Sequence, residues 1–349
     1  MDNGAALPVL GIDLGGTQIR AAHLAPDLTV SIRRAVPTNA VEGPAAVIDR
    51  ICAVAADVRE LAAAEGLPEP RGIGISAPGP LDPWRGVVVR PPNLPGWIDV
   101  PLVERVASAM GLPTFLERDT NVAMMAEWRH GSAIGARDAI YVTVSTGLGG
   151  GIIAGGRPLQ GQDNTAGEVG HITIDIDGPI CGDGMPGHAE GIASGAAIAR
   201  AGRLLLEHGQ APILARLAAD GRAVDAALVA DAADAGDAAC RAVYDRAHEA
   251  VGVLCASLTM TLNPEVIVIG GSIAEHRPEL LTVVRQEIDR RTWPAPARRV
   301  RITPPRFTED VSLVGLLPIV SERMNDPAYR RTPPRAAGVG TAAASTEDP

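Results

Sequence analysis

Short apolar runs and longer alanine-rich stretches follow one another along the chain. Apolar runs at residues 8–13 and 19–24 predict two strands joined by a glycine turn, which is a β-hairpin. Apolar residues at helical spacing over 43–65 predict a helix, and the run at 72–76 predicts a buried strand. This succession of strands and helices indicates an α/β fold.

The same pattern begins again near the middle of the chain. A strand at 114–117 and a helix at 120–128 are followed by a strand at 139–145, a glycine turn at 146–151 and a returning strand at 152–154. The second hairpin is similar in kind to the first, so we predict duplicated halves. Further predicted elements are helices at 194–207, 225–234 and 237–262 and a strand at 266–269.

The length of 349 residues exceeds what one hydrophobic core usually supports. We therefore predict an N-terminal α/β lobe at 1–130, with a C-terminal helix at 311–330 packed on it, and a second α/β lobe at 131–310. The composition of 331–349 predicts a disordered tail. Residues 78–101 are dense in Pro, Gly and Trp and predict a long loop of the kind that carries function.

Composition and charge narrow the class of protein. The 31 basic residues are all Arg and are outnumbered by 41 acidic ones, for a net charge of −10, which argues against a nucleic-acid partner. No apolar run is long enough to span a bilayer, and no signal sequence opens the chain, so we expect no membrane association. The scattered cysteines predict a reducing, cytoplasmic location; they are Cys52, Cys181, Cys240 and Cys255.

Two glycine turns are candidates for phosphate binding. Asp13 ends the first strand and precedes Gly15, Gly16 and Thr17, where exposed amides and a hydroxyl can surround a phosphate. The alternative is an ordinary glycine hairpin. The run at 145–151 repeats the arrangement in the second half, so two facing turns could hold a polyphosphate between the lobes.

Motifs rich in Gly, Pro, Asp and Glu occur in eight segments: 11–17, 77–82, 92–97, 117–121, 146–151, 167–171, 189–195 and 263–271. Together they resemble the ROK family of sugar kinases and related repressors, from Gly11 to about Leu317. The resemblance implies an actin-like (ribonuclease H-like) duplicated fold with two lobes and a cleft between them. It also implies ATP with Mg as cofactor, a hexose phosphorylated at its terminal 6-hydroxyl, and a homo-oligomer, dimer or tetramer.

The resemblance also implies roles for individual residues. Asp119 matches the catalytic base, with the alternative that it only caps the following helix. Arg118 stands where the family usually has a sugar-contacting Asn, which leaves the identity of the sugar open. The other positions matching sugar ligands are Gly79, Asn93, Glu168, His171 and Glu190. The positions matching ATP ligands are Asp13, Gly15, Gly16, Thr17, Thr146, Gly147, Gly270 and Gly271.

The family's structural zinc is held by one His and three Cys, and this sequence departs from that pattern. The corresponding set here is His171, Cys181, Asp183 and His188, with Asp and His replacing two of the cysteines. Both replacements are zinc-competent, so the run predicts either a mixed zinc site or a metal-free loop held by hydrogen bonds.

Three classes of function remain to be compared. A sugar-responsive regulator needs a DNA-binding domain, and only residues 1–7 precede the first predicted strand, so we do not expect one. A non-catalytic sugar-binding protein would be expected to lose Asp13, Asp119 or the glycine turns, and all are present. A kinase for glucose is therefore the leading expectation, with an N-acetylglucosamine or N-acetylmannosamine kinase as the alternative.

Overall fold

The structure is a computed structural model that describes residues 7–329 of the chain. Strands and helices alternate through both halves, as the hydrophobic pattern predicts. The strands are β1 (Val9–Leu14), β2 (Gln18–Leu24), β3 (Val30–Pro37), β4 (Gly72–Ala77), β5 (Leu81–Asp82), β6 (Val87–Val88), β7 (Thr114–Arg118), β8 (Ala139–Val144), β9 (Leu148–Ala154), β10 (Arg157–Pro158), β11 (Val266–Gly270) and β12 (Arg301–Thr303).

Most helices are concentrated in the second half of the chain. They are α1 (Gly43–Ala64), α2 (Leu102–Met110), α3 (Asp119–His130), α4 (Glu190–Ala193), α5 (Gly195–Glu207), α6 (Pro212–Leu217), α7 (Ala226–Asp234), α8 (Ala238–Leu262), α9 (Ser272–His276), α10 (Glu279–Arg291), α11 (Pro294–Arg299), α12 (Val311–Val314) and α13 (Leu316–Arg323). Among residues 7–329, no helix combines the length and the apolar character needed to cross a bilayer.

The strands of the two main sheets are arranged in equivalent spatial order, which is the evidence for duplicated halves. The first sheet runs β3-β2-β1-β4-β7 and the second runs β10-β9-β8-β11-β12. In each, an antiparallel hairpin continues into parallel strands, because β1 pairs in parallel with β4 and β8 pairs in parallel with β11. The carboxyl ends of the parallel strands therefore meet at one edge of each sheet, where α/β proteins bind their ligands.

The chain crosses between the two sheets twice. It leaves the first sheet after α3 and returns before α12, and both crossings are held by the fully buried carboxylate of Glu127. The Glu127 carboxylate accepts hydrogen bonds from the backbone amides of Ser132 at 2.7 Å, Arg306 at 3.1 Å and Phe307 at 2.9 Å. One side chain on α3 thus fastens both connections between the lobes. The lobe boundaries given above stay predictions.

Three predicted elements differ from the structure. The loop predicted at 78–101 contains a short antiparallel hairpin of β5 and β6. The glycines at 149–151, predicted as part of a turn, lie inside β9, which begins at Leu148. Gly149 and Gly151 lie against α3, where a Cβ on Gly151 would lie 2.7 Å from the Thr120 carbonyl oxygen. A Cβ on Gly150 would instead lie 2.7 Å from the Tyr141 carbonyl oxygen. The predicted helix at 311–330 is divided into α12 and α13 at Gly315, where the backbone approaches the carbonyl of Val122 on α3.

The C-terminal helices pack on the first sheet side of the molecule. Leu313, Leu316 and Val320 share a buried cluster with Val9 of β1 and with residues of α3 and the second sheet. Residues 311–323 thus return to the first sheet after the second has been completed. The predicted disordered tail at 331–349 lies outside the described residues.

Candidate active site

The N-terminal turn between β1 and β2 is fixed by its own hydrogen bonds. The Gly15 amide donates to the Gln18 carbonyl at 2.9 Å, and the Thr38 hydroxyl donates to the Gly15 carbonyl at 2.6 Å. A Cβ on Gly16 would lie 3.0 Å from that of Asn93, so the turn lies directly against the proline-rich loop. Within the described structure, the amides of Gly16 and Thr17 have no protein acceptor, so both are available to an anion.

The turn between β8 and β9 is built in the same way. The Ser145 amide donates to the Gly147 carbonyl at 2.9 Å, and the Ser145 hydroxyl lies 2.9 Å from that of Ser272 at the start of α9. Glu190 lies beside the end of this turn, where its Oε2 accepts a hydrogen bond from the Leu148 amide at 2.8 Å. The predicted sugar ligand Glu190 is thus placed against the predicted phosphate turn.

Gly270 and Gly271 end β11 beside this second turn. A Cβ on Gly270 would lie 2.5 Å from the hydroxyl oxygen of Tyr141, and one on Gly271 would lie 2.6 Å from the Val144 carbonyl. Gly271 also has a φ of 93°, which side chains rarely adopt. Close packing therefore requires both glycines, and their contact with ATP stays a prediction.

Asp119 lies where β7 ends and α3 begins. Its Oδ1 accepts a hydrogen bond from the Thr120 amide at 2.7 Å, and the N-cap position of α3 belongs to Arg118, which has an extended backbone. Asp119 is therefore the first residue of α3 and not its N-cap, which the alternative required. Because β7, β4 and β1 are parallel neighbours, Asp119 and Asp13 lie at the same edge of the first sheet.

The surroundings of Asp119 raise the pKa of its carboxyl from 3.8 to about 6. Desolvation is the largest cause, and the negative charges of Asp13 and Glu168 add to it, while the Thr120 amide and the Arg118 guanidinium act in the opposite direction. Asp119 is nevertheless an exposed residue. A carboxylate with a pKa near neutrality, accessible to a ligand, is suited to accept a proton.

Asp13 has a cationic partner that the sequence analysis did not single out. The Arg20 guanidinium donates to Asp13 Oδ2 through Nε at 3.0 Å and Nη2 at 2.6 Å, and Nη2 also reaches the Ser312 hydroxyl at 2.8 Å. The hairpin register pairs Asp13 with Arg20 directly across the two strands. That register could have revealed the pair, since the two strands and the turn were predicted correctly.

Arg118 is directed into the protein instead of into the cleft. Its Nη1 donates to Glu168 Oε1 at 2.5 Å, and its Nη2 donates to the carbonyls of Ala166 at 2.8 Å and Gly150 at 3.3 Å. The side chain is only 4% exposed. A direct contact between Arg118 and a sugar stays a prediction, but protein acceptors already occupy both terminal nitrogens.

Glu117 forms a second buried network beside the site. Its carboxylate pairs with Arg323 of α13 and accepts from the side-chain amides of Asn121 at 3.0 Å and Asn164 at 3.2 Å. Burial alone would raise the pKa of Glu117, but the Arg323 guanidinium and these hydrogen bonds hold it below its ordinary value. This network joins the end of β7 to the loop that leads to Glu168.

The four predicted zinc ligands are brought together. One ligand atom from each of His171, Cys181, Asp183 and His188 lies within 4.8 Å of the others. The Nδ1 atoms of both imidazoles lie 3.0 Å from Asp183 Oδ2. His188 Nδ1 is buried and forms no hydrogen bond with any other residue of 7–329. Glu190 is adjacent, with Oε1 3.8 Å from the Cys181 sulfur.

A family model described as the ROK family matches residues 9–323, which is nearly the whole described chain. The chain belongs to the ROK family. The predicted family and the actin-like sugar kinase fold are thereby confirmed.

Named relatives of this ROK chain are sugar kinases. It is 30% identical over 318 residues to a glucokinase of Thermotoga maritima, covering 91% of this chain and 98% of the relative. It is 31% identical to an N-acetylmannosamine kinase of Salmonella newport, covering 88% and 97%. Among solved structures, a ROK glucokinase from Streptomyces griseus in complex with glucose and AMPPNP has a TM-score of 0.74 at 29% identity, covering 89% and 98%.

Proposed function

We propose that this chain transfers the terminal phosphoryl group of ATP to the 6-hydroxyl of a hexose, with glucose as the leading substrate. The observation that carries the proposal is Asp119, a carboxylate of raised pKa at the strand edge that also bears Asp13. The glucokinase relative and the glucokinase complex with glucose and AMPPNP support both substrates.

The proposed reaction is a phosphoryl transfer from ATP to the sugar hydroxyl. Asp119 accepts the proton of the sugar hydroxyl as its oxygen attacks the γ-phosphorus of ATP, and the bond to the β-phosphate oxygen breaks to release ADP. The amides of the two glycine turns bind the phosphates through their N–H groups. Mg, when bound with ATP, offsets the phosphate charge, and the Asp13 carboxylate is the group that would hold it. The hydroxyls of the sugar are bound by Glu168, Glu190, His171 and Asn93 and the backbone of Gly79.

A panel of sugars tests this function. ATP consumption is measured with glucose, mannose, fructose, N-acetylglucosamine and N-acetylmannosamine, each at several concentrations. The proposal predicts the highest kcat/KM for glucose. The relative named N-acetylmannosamine kinase supports the alternative, for which an N-acetylhexosamine would give the highest value. Sugar binding without turnover would favour the non-catalytic reading.

We further propose that His171, Cys181, Asp183 and His188 hold a structural zinc ion. The mixed N, O and S donor set, with its four ligand atoms within 4.8 Å of one another, fits such an ion. Its effect would be to hold the loop beside Glu190, since Cys181 contacts that carboxylate.

Metal analysis of untagged protein grown in zinc-replete medium tests the zinc proposal. We expect about one zinc per chain, lost in Cys181→Ser but kept in the control Cys52→Ser. Substoichiometric zinc in the unaltered protein would support the metal-free loop instead.

The location and assembly of the protein are further proposals. We propose a cytoplasmic location, supported by the four cysteines, all of which are free thiols in the described structure. A homo-oligomer, dimer or tetramer, stays a prediction that sedimentation analysis would test.

A further inference from the structure

The Arg118–Glu168 pair is a feature of the site that the proposed chemistry does not explain. Glu168 lies on the loop after β10 and is 35% exposed, whereas the Arg118 side chain is 4% exposed. Arg118 holds Oε1 of Glu168, so Oε2 is the oxygen left for a ligand. We propose that Arg118 is a positioning residue: it fixes the Glu168 carboxylate for the sugar and does not itself contact the sugar. This inference rests on the proposed function.

The stem of Arg118 is enclosed as tightly as its head group. A Cβ on Gly79 would lie 3.2 Å from Arg118 Cδ and 3.6 Å from Glu168 Oε1. The backbone of Gly79 therefore lies close to both the arginine stem and the Glu168 carboxylate. Two predicted sugar-binding groups, at Gly79 and Glu168, are thus neighbours of the same Arg118 side chain.

The same guanidinium also holds the backbone that carries Glu168. Arg118 Nη2 donates to the Ala166 carbonyl, two residues earlier in the loop. Gly167, between them, has a φ of 92°, and a Cβ on it would lie 3.0 Å from Arg118 Nη2. Glycine at this position gives the arginine room to approach the loop. The planar guanidinium of Arg118 thereby fixes both the main chain at Ala166 and the carboxylate of Glu168.

Fixing a glutamate matters for binding because a half-exposed carboxylate otherwise occupies several rotamers. A ligand that needs one of them must then order the side chain when it binds. Arg118 removes that freedom before the sugar arrives, and its charge offsets one of the acids beside Asp119. The expected consequence is a lower KM for the sugar with little effect on kcat.

A double-mutant cycle with Arg118→Met and Glu168→Gln tests the inference. Methionine keeps an apolar stem beside Gly79 but removes every donor. The constants are measured at pH 8, so that Asp119 stays ionised even when loss of the neighbouring guanidinium raises its pKa. We expect Arg118→Met to raise the KM for the sugar at least about ten-fold, with kcat within about threefold and the KM for ATP unchanged. In the Glu168→Gln background the same change should alter KM by less than about twofold, because arginine acts through that carboxylate. Arg118→Lys, which keeps the charge without the fork, should fall in between.

Arg285→Met is the matched control, because Arg285 also spans two backbone carbonyls but lies on α10, and it should leave both constants unchanged. Thermal unfolding of each variant is measured alongside. If Arg118→Met does not fold, calorimetric sugar binding by Arg118→Lys and Glu168→Gln carries the test.

The inference is overturned if the two effects on KM multiply in the double variant, if Arg118→Met leaves KM unchanged, or if it lowers kcat with KM constant. A different result, in which the unaltered protein phosphorylates none of the sugars, would contradict the proposed function and not the pairing.

Discussion

The acid limb of the pH–rate profile should report the ionisation of Asp119. This carboxyl must be ionised to accept the proton of the sugar hydroxyl, so the active form is present above its pKa and is lost as the pH falls through it. Desolvation and the nearby acids Asp13 and Glu168 raise that pKa from 3.8 to about 6. We therefore expect kcat/KM to fall below about pH 6, well above the range of an ordinary aspartate.

The size of the effect follows from the pKa. With a pKa of about 6, roughly a tenth of Asp119 is ionised at pH 5, so kcat/KM should fall roughly tenfold from its plateau. An aspartate with an ordinary pKa would remain about nine-tenths ionised at pH 5 and would lose almost nothing.

The assay measures kcat/KM for the preferred sugar from pH 4.5 to 8, at saturating ATP, with circular dichroism at each pH to establish that the protein stays folded. Asp119→Asn is the companion variant, and we expect it to lower kcat by about a hundred-fold to ten-thousand-fold while sugar binding persists. A profile that stays flat down to pH 5, or an Asp119→Asn variant with near-normal kcat, would refute the assignment of Asp119 as base.

Other changes have separate expected outcomes. Asp13→Ala should raise the Mg concentration needed for half-maximal ATP turnover, because the carboxylate at the phosphate turn is lost; a fully active variant with an unchanged Mg requirement would reassign that turn as structural. Arg323→Met should lower the free energy of unfolding in urea by about 3–5 kcal/mol, because it leaves the Glu117 carboxylate buried and unpaired. Gly151→Ala should lower the melting temperature, since its Cβ would meet α3 at 2.7 Å, whereas Gly182→Ala, with open space around it, should not.

The fold could be predicted from the sequence because its strands and helices are strongly patterned. The buried strands β1, β4 and β11 are short apolar runs, and α8 has apolar residues at helical spacing. The edge strand β3 was missed because exposed and partly buried residues fill it, including Arg33 and Arg34. An edge strand with charged side chains has little hydrophobic signal to detect.

The candidate site was predictable only in part, and for a physical reason. The sequence identifies Asp119 and the turn residues because each occurs in a local motif next to a strand. The partners that determine what those residues do come from far along the chain: Arg323 pairs with Glu117 across 206 positions, and Glu168 meets Arg118 across 50. No local pattern contains such contacts, so the direction of the Arg118 side chain required the structure.

The glycines at 149–151 were predicted as part of a phosphate-binding turn, but they lie in strand β9. A glycine run beside a hydroxyl is typical of a phosphate turn, and the turn is present at Ser145, Thr146 and Gly147. Of the glycines that follow, Gly149 and Gly151 allow close packing of β9 on α3, and Gly150 allows close packing against Tyr141 and Val169. A need for small residues in tight packing and a need for exposed amides have the same signature in sequence.

Phosphoryl transfer at this cleft is tested most directly by measuring both products of one reaction. The unaltered protein is incubated with ATP labelled at the γ-phosphate and with glucose or an N-acetylhexosamine, and ADP and labelled sugar phosphate are quantified together. The account predicts equal amounts of ADP and hexose 6-phosphate, and almost none of either with Asp119→Asn. ADP released without labelled sugar, or sugar phosphate formed equally well by the Asp119 variant, would contradict it.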